Sequence, residues 1–151
     1  MQLYLLYGMA GVQPPAGDLY DFDRIDRYWM KSVLTKSVGA ESRDQAIAAL
    51  RAEMKETTNK LMKKAEMYFD VFWERHRAVY DLLFNGQTWA TLQYLESTIA
   101  LRVIKQTIEA GITCIPVHDS FIVQSRRKHE LEAAMYDAFQ SVFPDLKPIL
   151  K

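Results

Sequence analysis

The sequence has 151 residues, 49% of them hydrophobic and 12% aromatic, which excludes a disordered chain and fits one globular domain with a core. Its formal net charge of zero excludes binding of nucleic acid through bulk charge alone, so such a contact needs a local basic patch or another part of the protein. The one cysteine, Cys114, cannot form an internal disulfide, and no apolar run approaches the ~20 residues of a membrane-spanning helix. We therefore expect a soluble, cytoplasmic, single domain over residues 1–151 without membrane contact.

The first forty residues predict a helix or strand, then a loop, then a helix. Residues 1–10 are mostly apolar and predict a helix or a strand, and the two adjacent prolines within residues 11–17 predict a loop. Asp18 and Asp21 are candidate N-caps of a helix that runs to about Ser37, and Gly39 is a candidate stop.

The middle of the chain predicts two longer helices. Ser42 and Gln45 have the spacing of a capping box, which opens a helix through about Glu56. Residues 57–59 are poor helix formers and predict a break, after which one helix is predicted over 60–84, ended by the Asn-Gly pair that follows it.

The last third of the sequence changes pattern. A helix is predicted from about Thr88 to Ala110, and two short runs rich in β-branched residues, 112–117 and 121–124, then predict a β-hairpin whose turn is residues 118–120. Ser125 is a candidate cap for a final helix to about Val142.

The predicted fold class is α+β and mostly helical, with five or six helices packed around one β-hairpin. A two-stranded hairpin is only marginally stable in water, and both of its edges accept further strands. We therefore expect that a strand from elsewhere pairs with this hairpin.

Asp119 is the residue in this turn that is the candidate metal ligand. A carboxylate held between two strands suits Mg²⁺, which prefers oxygen ligands in a strict geometry. Aspartate is also common in turns because it forms local hydrogen bonds, so an ordinary turn residue is the alternative.

The run Val117-His118-Asp119-Ser120-Phe121 resembles the third palm motif of the family A DNA polymerases and the phage- and mitochondrial-type single-subunit RNA polymerases. The resemblance implies that Asp119 binds catalytic Mg²⁺ and that His118 lies near the primer end. The serine after the aspartate is typical of the RNA enzymes, whereas the DNA enzymes usually have glutamate.

Arg27 and Lys31 lie four residues apart and resemble the basic pair of the family's fingers motif, which implies binding of the incoming triphosphate. Two features depart from that motif. The spacing from Lys31 to Gly39 is one residue short, and Val38 stands where the family has tyrosine, so sugar selection does not follow. A solvated helix face, with Arg27 paired to Asp23 or Asp26, is the alternative.

The first twenty residues resemble the helix and loop that directly follow the first palm motif in these polymerases. That motif is a strand ending in the aspartate that partners the one in the hairpin, and its sequence is not found here. The expected missing strand and the missing motif are therefore the same element.

Four further residues are candidates for nucleic-acid contact. Gln93 falls on the helix before the hairpin, where the family's template-facing helix lies, and Arg126, Arg127 and Lys128 form a basic cluster at the start of the last helix. Exposed, solvated helix positions are the alternative for all four.

The resemblance implies a fragment or truncated relative of a template-directed nucleotidyltransferase with a two-metal Mg²⁺ mechanism. Its partners would be nucleic acid template and primer, nucleoside triphosphates, and the missing N-terminal polymerase region. One aspartate leaves too few ligands for two ions, so we expect the chain alone to be inactive. The alternative function is a non-catalytic protein that uses the same scaffold for binding or for self-association through the hairpin edges.

Overall fold

The computed structural model describes residues 2–57, 59–117 and 120–146. The chain divides into two compact units, here called the central unit (Pro14–Ala90) and the terminal unit (Met1–Gln13 with Thr91–Lys151). The expectation of a single domain over residues 1–151 stays a prediction.

The described residues form eight α-helices, a short 3₁₀-helix and one two-stranded antiparallel sheet. The elements are α1 (Gln2–Ala10), α2 (Arg27–Val38), α3 (Arg43–Thr57), α4 (Asn59–Met62), α5 (Ala65–Arg75), α6 (Arg77–Tyr80), α7 (Thr88–Glu109), β1 (Ile115–Val117), β2 (Ser120–Ile122), the 3₁₀-helix (Ser125–Arg127) and α8 (Lys128–Gln140). The predicted class, mostly helical α+β with one hairpin, is confirmed, although there are more helices than the five or six expected. In the described ranges no helix is both long and apolar enough to cross a bilayer.

The core of the central unit lies among α2, α3 and α5, which pack against one another. The buried positions of α5 follow the spacing of one helix face, and α2 and α3 bury similar faces. These buried side chains include Met30, Val33, Leu34, Ile47, Leu50, Met54, Tyr68, Phe69, Phe72 and Trp73.

The long helix predicted over 60–84 is wrong, because this segment forms the three helices α4, α5 and α6. Turns interrupt it at residues 63–64 and at His76, and no proline or glycine marks either break. The Asn-Gly pair was expected to end a helix, but its asparagine supports the start of the next one. The side chain of Asn85 accepts hydrogen bonds from the backbone N–H groups of Gln87 and Thr88, both at 2.9 Å, and so supports the start of α7.

The start of α2 also differs from the prediction. The N-cap is Asp26, whose carboxylate accepts a 2.8 Å hydrogen bond from the backbone of Tyr28, so neither Asp18 nor Asp21 opens the helix. Asp18 is occupied elsewhere, because its side chain accepts hydrogen bonds from the backbone of Tyr20 (3.0 Å) and from Arg27. The predicted stop is confirmed, since the C-cap of α2 is a glycine, Gly39.

The start of α3 partly follows the predicted capping box. The backbone of Gln45 donates to the side chain of Ser42 at 3.3 Å, as expected. The side-chain oxygen of Gln45 reaches one residue further back and accepts from the backbone of Glu41 at 2.6 Å.

In the terminal unit, α1 confirms the helix alternative for the first ten residues, and four of its side chains are buried. A Cβ atom at Gly8 would lie 2.6 Å from the ring of Phe143, so only glycine permits this close approach. The buried positions of α7 in this unit, Leu92, Ile99, Val103 and Thr107, lie on one side of that helix.

Candidate functional site

The hairpin pairs Ile115 with Ile122, Pro116 with Phe121 and Val117 with Ser120. The prediction of a hairpin at this point is confirmed, but its strands are shorter than expected, and Ser120 belongs to β2 and not to the turn. Ser120 takes part in strand pairing because the register closes directly on Val117, which leaves only positions 118 and 119 between the strands. His118 and Asp119 lie outside the described residues, so their predicted roles stay predictions.

One face of the hairpin carries exposed apolar side chains. Ile115 and Ile122 lie opposite each other and are 54% and 56% exposed, and Val117 on the same face is 42% exposed. Within the described residues this sheet has no third strand. Contiguous exposed apolar side chains are typical of an interaction surface. The expected pairing of this hairpin with another segment stays a prediction.

The predicted basic pair lies on the first two turns of α2, in the central unit. Arg27 and Lys31 are both exposed and lie one helical turn apart on the same face. Lys31 forms no ion pair among the residues that the structure describes. The helix therefore presents one uncommitted ammonium group to solvent.

Arg27 is held by a carboxylate that neither interpretation of the sequence named. Its Nε donates to Asp18 at 2.8 Å and its Nη2 donates to the other carboxylate oxygen at 3.4 Å, while the guanidinium lies 5.2 Å from the centre of the Tyr20 ring. The hydrogen bond to Asp18 raises the pKa of Arg27. The expected pairing of Arg27 with Asp23 or Asp26 is wrong, because Asp26 caps the helix and Asp23 pairs with Arg24.

The loop that carries Asp18 is fixed by residues from α5 and its C-terminal end. Arg75 donates hydrogen bonds to the carbonyl oxygens of Asp21 and Asp18, the latter at 3.3 Å, and its guanidinium lies 4.9 Å from the centre of the Phe22 ring. The buried imidazole of His76 lies 2.9 Å from the carbonyl oxygen of Leu19. These contacts join positions more than fifty residues apart, so sequence patterns gave no signal for them.

The four predicted nucleic-acid contacts lie in the terminal unit. Gln93 is exposed on α7. Two of the three basic residues have carboxylate partners on α8, since Arg127 lies 2.9 Å from Glu130 and Lys128 lies 3.5 Å from Glu132. Arg126 is exposed and donates to the side chain of Gln124 at 3.0 Å. Pairing with carboxylates of α8 therefore offsets two of the cluster's three charges, and a role in binding nucleic acid stays a prediction.

The described residues do not by themselves fit a magnesium site. They contain no group of three or more histidine, cysteine, aspartate or glutamate side chains placed to hold a metal ion. Cys114 is half-buried. His129 is exposed, and its Nδ1 lies 3.5 Å from Glu132.

Comparison with known proteins gives no relative. No protein-family model, no curated protein and no solved structure matches this chain. The polymerase resemblance of the short motifs therefore stays a prediction.

A groove in the central unit was not predicted from the sequence. It encloses about 450 Å³ and is lined by Arg43, Phe69, Asp70, Trp73, Glu74, Arg77 and Tyr80. Arg43 is committed to Asp70 at 2.7 Å and to Glu66 at 3.1 Å, and Arg77 lies over the ring of Tyr80 at 5.6 Å. The lining carries equal numbers of cationic and anionic side chains, so its charge favours neither an anionic nor a cationic ligand.

Proposed function

We propose that this chain is the fingers-and-palm part of a template-directed nucleotidyltransferase and that it binds a nucleoside triphosphate on the exposed face of α2. The observation that carries the proposal is the pair Arg27 and Lys31, one turn apart on an open helix face. Two cations at this spacing can contact neighbouring phosphate groups of one ligand.

The two cations differ in how available they are to bind phosphate. Lys31 has no carboxylate partner among the described residues, whereas Arg27 is bound to Asp18 at 2.8 Å. A triphosphate must compete with that carboxylate for the guanidinium. The ligand's higher negative charge favours the exchange, and Asp18 then sets the affinity by opposing it.

In this proposal Asp119 supplies one ligand for Mg²⁺, and another polypeptide segment supplies the rest, including a second carboxylate. When bound, the metal would stabilise negative charge on the reacting phosphate. The described residues of this chain offer no cluster to replace those absent ligands. The chain alone is therefore proposed to bind triphosphate without catalysing transfer.

The test is titration of the purified chain with ATP and with dATP by isothermal calorimetry. Lys31→Ala should weaken binding roughly three- to tenfold, because it removes a charge-assisted hydrogen bond to phosphate. Lys63→Ala is the matched control, since it removes the same charge from an exposed position between α4 and α5 and should leave the affinity unchanged. Equal losses in both variants would mean that binding depends only on overall charge.

The variant Asp18→Asn tests whether the ion pair with Arg27 limits the affinity for triphosphate. Asparagine keeps an oxygen for the backbone of Tyr20 but releases the ion pair with Arg27, so this variant should bind triphosphate more tightly than the parent chain. Unchanged affinity in both Asp18→Asn and Lys31→Ala would overturn the proposed site. Primer extension by the isolated chain that is abolished by Asp119→Asn would contradict the proposed inactivity.

A second candidate function is non-catalytic binding or oligomerisation on the same scaffold. The exposed apolar face of the hairpin favours it, as does a stripe on α7 where Tyr94, Leu101 and Ile108 recur at every seventh residue and are each at least 66% exposed. Absence of triphosphate binding combined with self-association of the chain would favour this function.

A further inference from the structure

The two edges of the hairpin differ in their hydrogen-bonding groups. In an antiparallel pair, residues alternate between pairs that exchange two hydrogen bonds and pairs that exchange none. Pro116 has no N–H and cannot take part in a pair that exchanges two hydrogen bonds. Pro116 and Phe121 are therefore a non-hydrogen-bonded pair. The main-chain polar groups of these two residues therefore point outward, away from the partner strand.

The outer edge of β1 is closed to another strand at its centre. Only a carbonyl points outward there, because Pro116 lacks the donor that an incoming strand would need. Proline on an edge strand is one of the devices that prevent edge-to-edge association.

The outer edge of β2 carries no such protection. Phe121 directs both a free N–H and a carbonyl outward, and in the described residues no hydrogen bond from outside the hairpin reaches them. Residues 120–123 contain no proline, glycine or charged side chain, and three of the four are aromatic or β-branched. This composition is that of a strand in the middle of a sheet.

We propose that the outer edge of β2 pairs antiparallel with the same edge of a second copy of this chain, about a twofold axis that passes between the two Phe121 residues. The two Phe121 main chains exchange two hydrogen bonds across the axis, and Ser120 of each copy lies opposite Ile122 of the other. The strand is its own complement in this register, because an aromatic pair forms at the centre and no charges meet.

The result is a four-stranded sheet in the order β1-β2-β2-β1. A sheet of four strands is more stable than an isolated two-stranded hairpin, which is only marginally stable in water. Both outer edges of that sheet are β1 strands with Pro116 at the centre, so neither edge offers a full set of partners to a third copy. Association therefore stops at two copies and gives a closed, isologous dimer.

Light scattering coupled to size-exclusion chromatography tests the full-length chain over a range of concentrations. The expected mass is twice the 17.5 kDa of one chain. Phe121→Pro should give the monomer mass, because it removes the outward N–H from β2 as Pro116 does from β1. Ile115→Lys is the matched control, since it alters β1 on the exposed face and should leave the dimer intact. Equal far-ultraviolet circular dichroism of the variants would show that they are folded.

Two further variants keep the proposal testable if Phe121→Pro fails to fold. Phe121→Cys in a Cys114→Ser background should form an interchain disulfide on mild oxidation, because opposed residues of a hydrogen-bonded pair have Cα atoms about 5.5 Å apart. Pro116→Val should produce species larger than a dimer, because it restores the missing donor on β1.

A monomer at every concentration, or a dimer that survives Phe121→Pro without forming the Phe121→Cys crosslink, would overturn the proposal. If Pro116→Val remains strictly dimeric, the claim that Pro116 prevents a third copy from adding to β1 is wrong. Dimerisation at β2 does not require a polymerase-like function, and a monomeric chain that still binds ATP through Lys31 would leave the proposed function standing.

Discussion

At the scale of single residues, His76 is a buried titratable group whose pKa folding shifts strongly. Its side chain is fully buried, its ring centre lies 4.6 Å from that of Phe72, and its Nε2 lies 2.9 Å from the carbonyl oxygen of Leu19. Because a carbonyl only accepts, Nε2 carries the proton of the neutral ring. Burial lowers the pKa of His76 to about 4, although the hydrogen bond to Leu19 opposes this shift.

This pKa predicts a stability loss in mild acid. The folded pKa of about 4 lies below the ordinary value of 6.5, so between these values the unfolded chain binds more protons than the folded one. The free energy of unfolding should be insensitive to His76 above about pH 7.5 and fall by about 2 kcal/mol on going from there to roughly pH 5. Urea denaturation at the two pH values measures this change.

Two substitutions isolate the contribution of His76. His76→Gln keeps a donor for Leu19 and should reduce the acid sensitivity, because glutamine does not titrate. His129→Gln, at a position whose side chain is 95% exposed, should leave it unchanged. The same pH dependence in His76→Gln and the parent chain would assign the acid sensitivity to other groups.

At the scale of elements, one carboxylate joins α3 to α2, the helix that carries the proposed triphosphate contacts. Glu53 on α3 accepts hydrogen bonds from Tyr28 at 2.6 Å and Ser32 at 2.8 Å and pairs with Lys36 at 2.9 Å. These three partners lie four residues apart along one face of α2. Partial burial raises the pKa of Glu53, but the three hydrogen bonds together hold it below its usual value.

Glu53→Gln should lower the free energy of unfolding by about 1–2 kcal/mol, because glutamine loses the ion pair and one of the acceptor oxygens. The control is Glu132→Gln, which breaks exposed pairs within α8 and should cost less than about 0.5 kcal/mol. Urea denaturation of both variants measures the difference. Equal costs would show that Glu53 contributes no more than a surface ion pair.

Elements were predictable from the sequence where local patterns decide them. Gly39 and Gly111 marked the ends of α2 and α7 to within two residues, and the change to β-branched residues marked the hairpin. The start of α2 was not predictable, because Asp18 is engaged by Arg27 in a loop that Arg75 fixes from far along the chain. The cap that is used, Asp26, is itself a residue type that favours caps, so local pattern named the residue type and tertiary contacts decided which aspartate serves.

In the candidate site, too, local spacing was predictable and contacts between distant residues were not. The spacing of Arg27 and Lys31 placed both on one helix face, since four residues make one turn. The spacing could not show that Asp18 restrains only Arg27, because a loop fixed by distant residues positions that carboxylate. The groove beside Trp73 had no sequence signal, because its lining comes from α3, α5 and α6 together.

At the scale of the whole molecule, the two units differ in how the chain builds them. The central unit is one continuous stretch, Pro14–Ala90, whereas the terminal unit joins the first thirteen residues to the last third of the chain. Long-range contacts hold the terminal unit, such as the close approach of Gly8 to Phe143 and the hydrogen bond from Gln13 to the carbonyl of Asp145.

A continuous unit with its own core should fold without the rest of the chain. The central unit contains the mutual packing of α2, α3 and α5, and the contacts of His76 and Arg75 with its first loop. A protein of residues 14–90 should therefore show helical circular dichroism and a cooperative thermal transition. It should also bind ATP with the same dependence on Lys31 as the full chain, because α2 lies wholly within it. A gradual, non-cooperative transition would show that the core of this unit needs the terminal segments, and the two units would then be one folding domain.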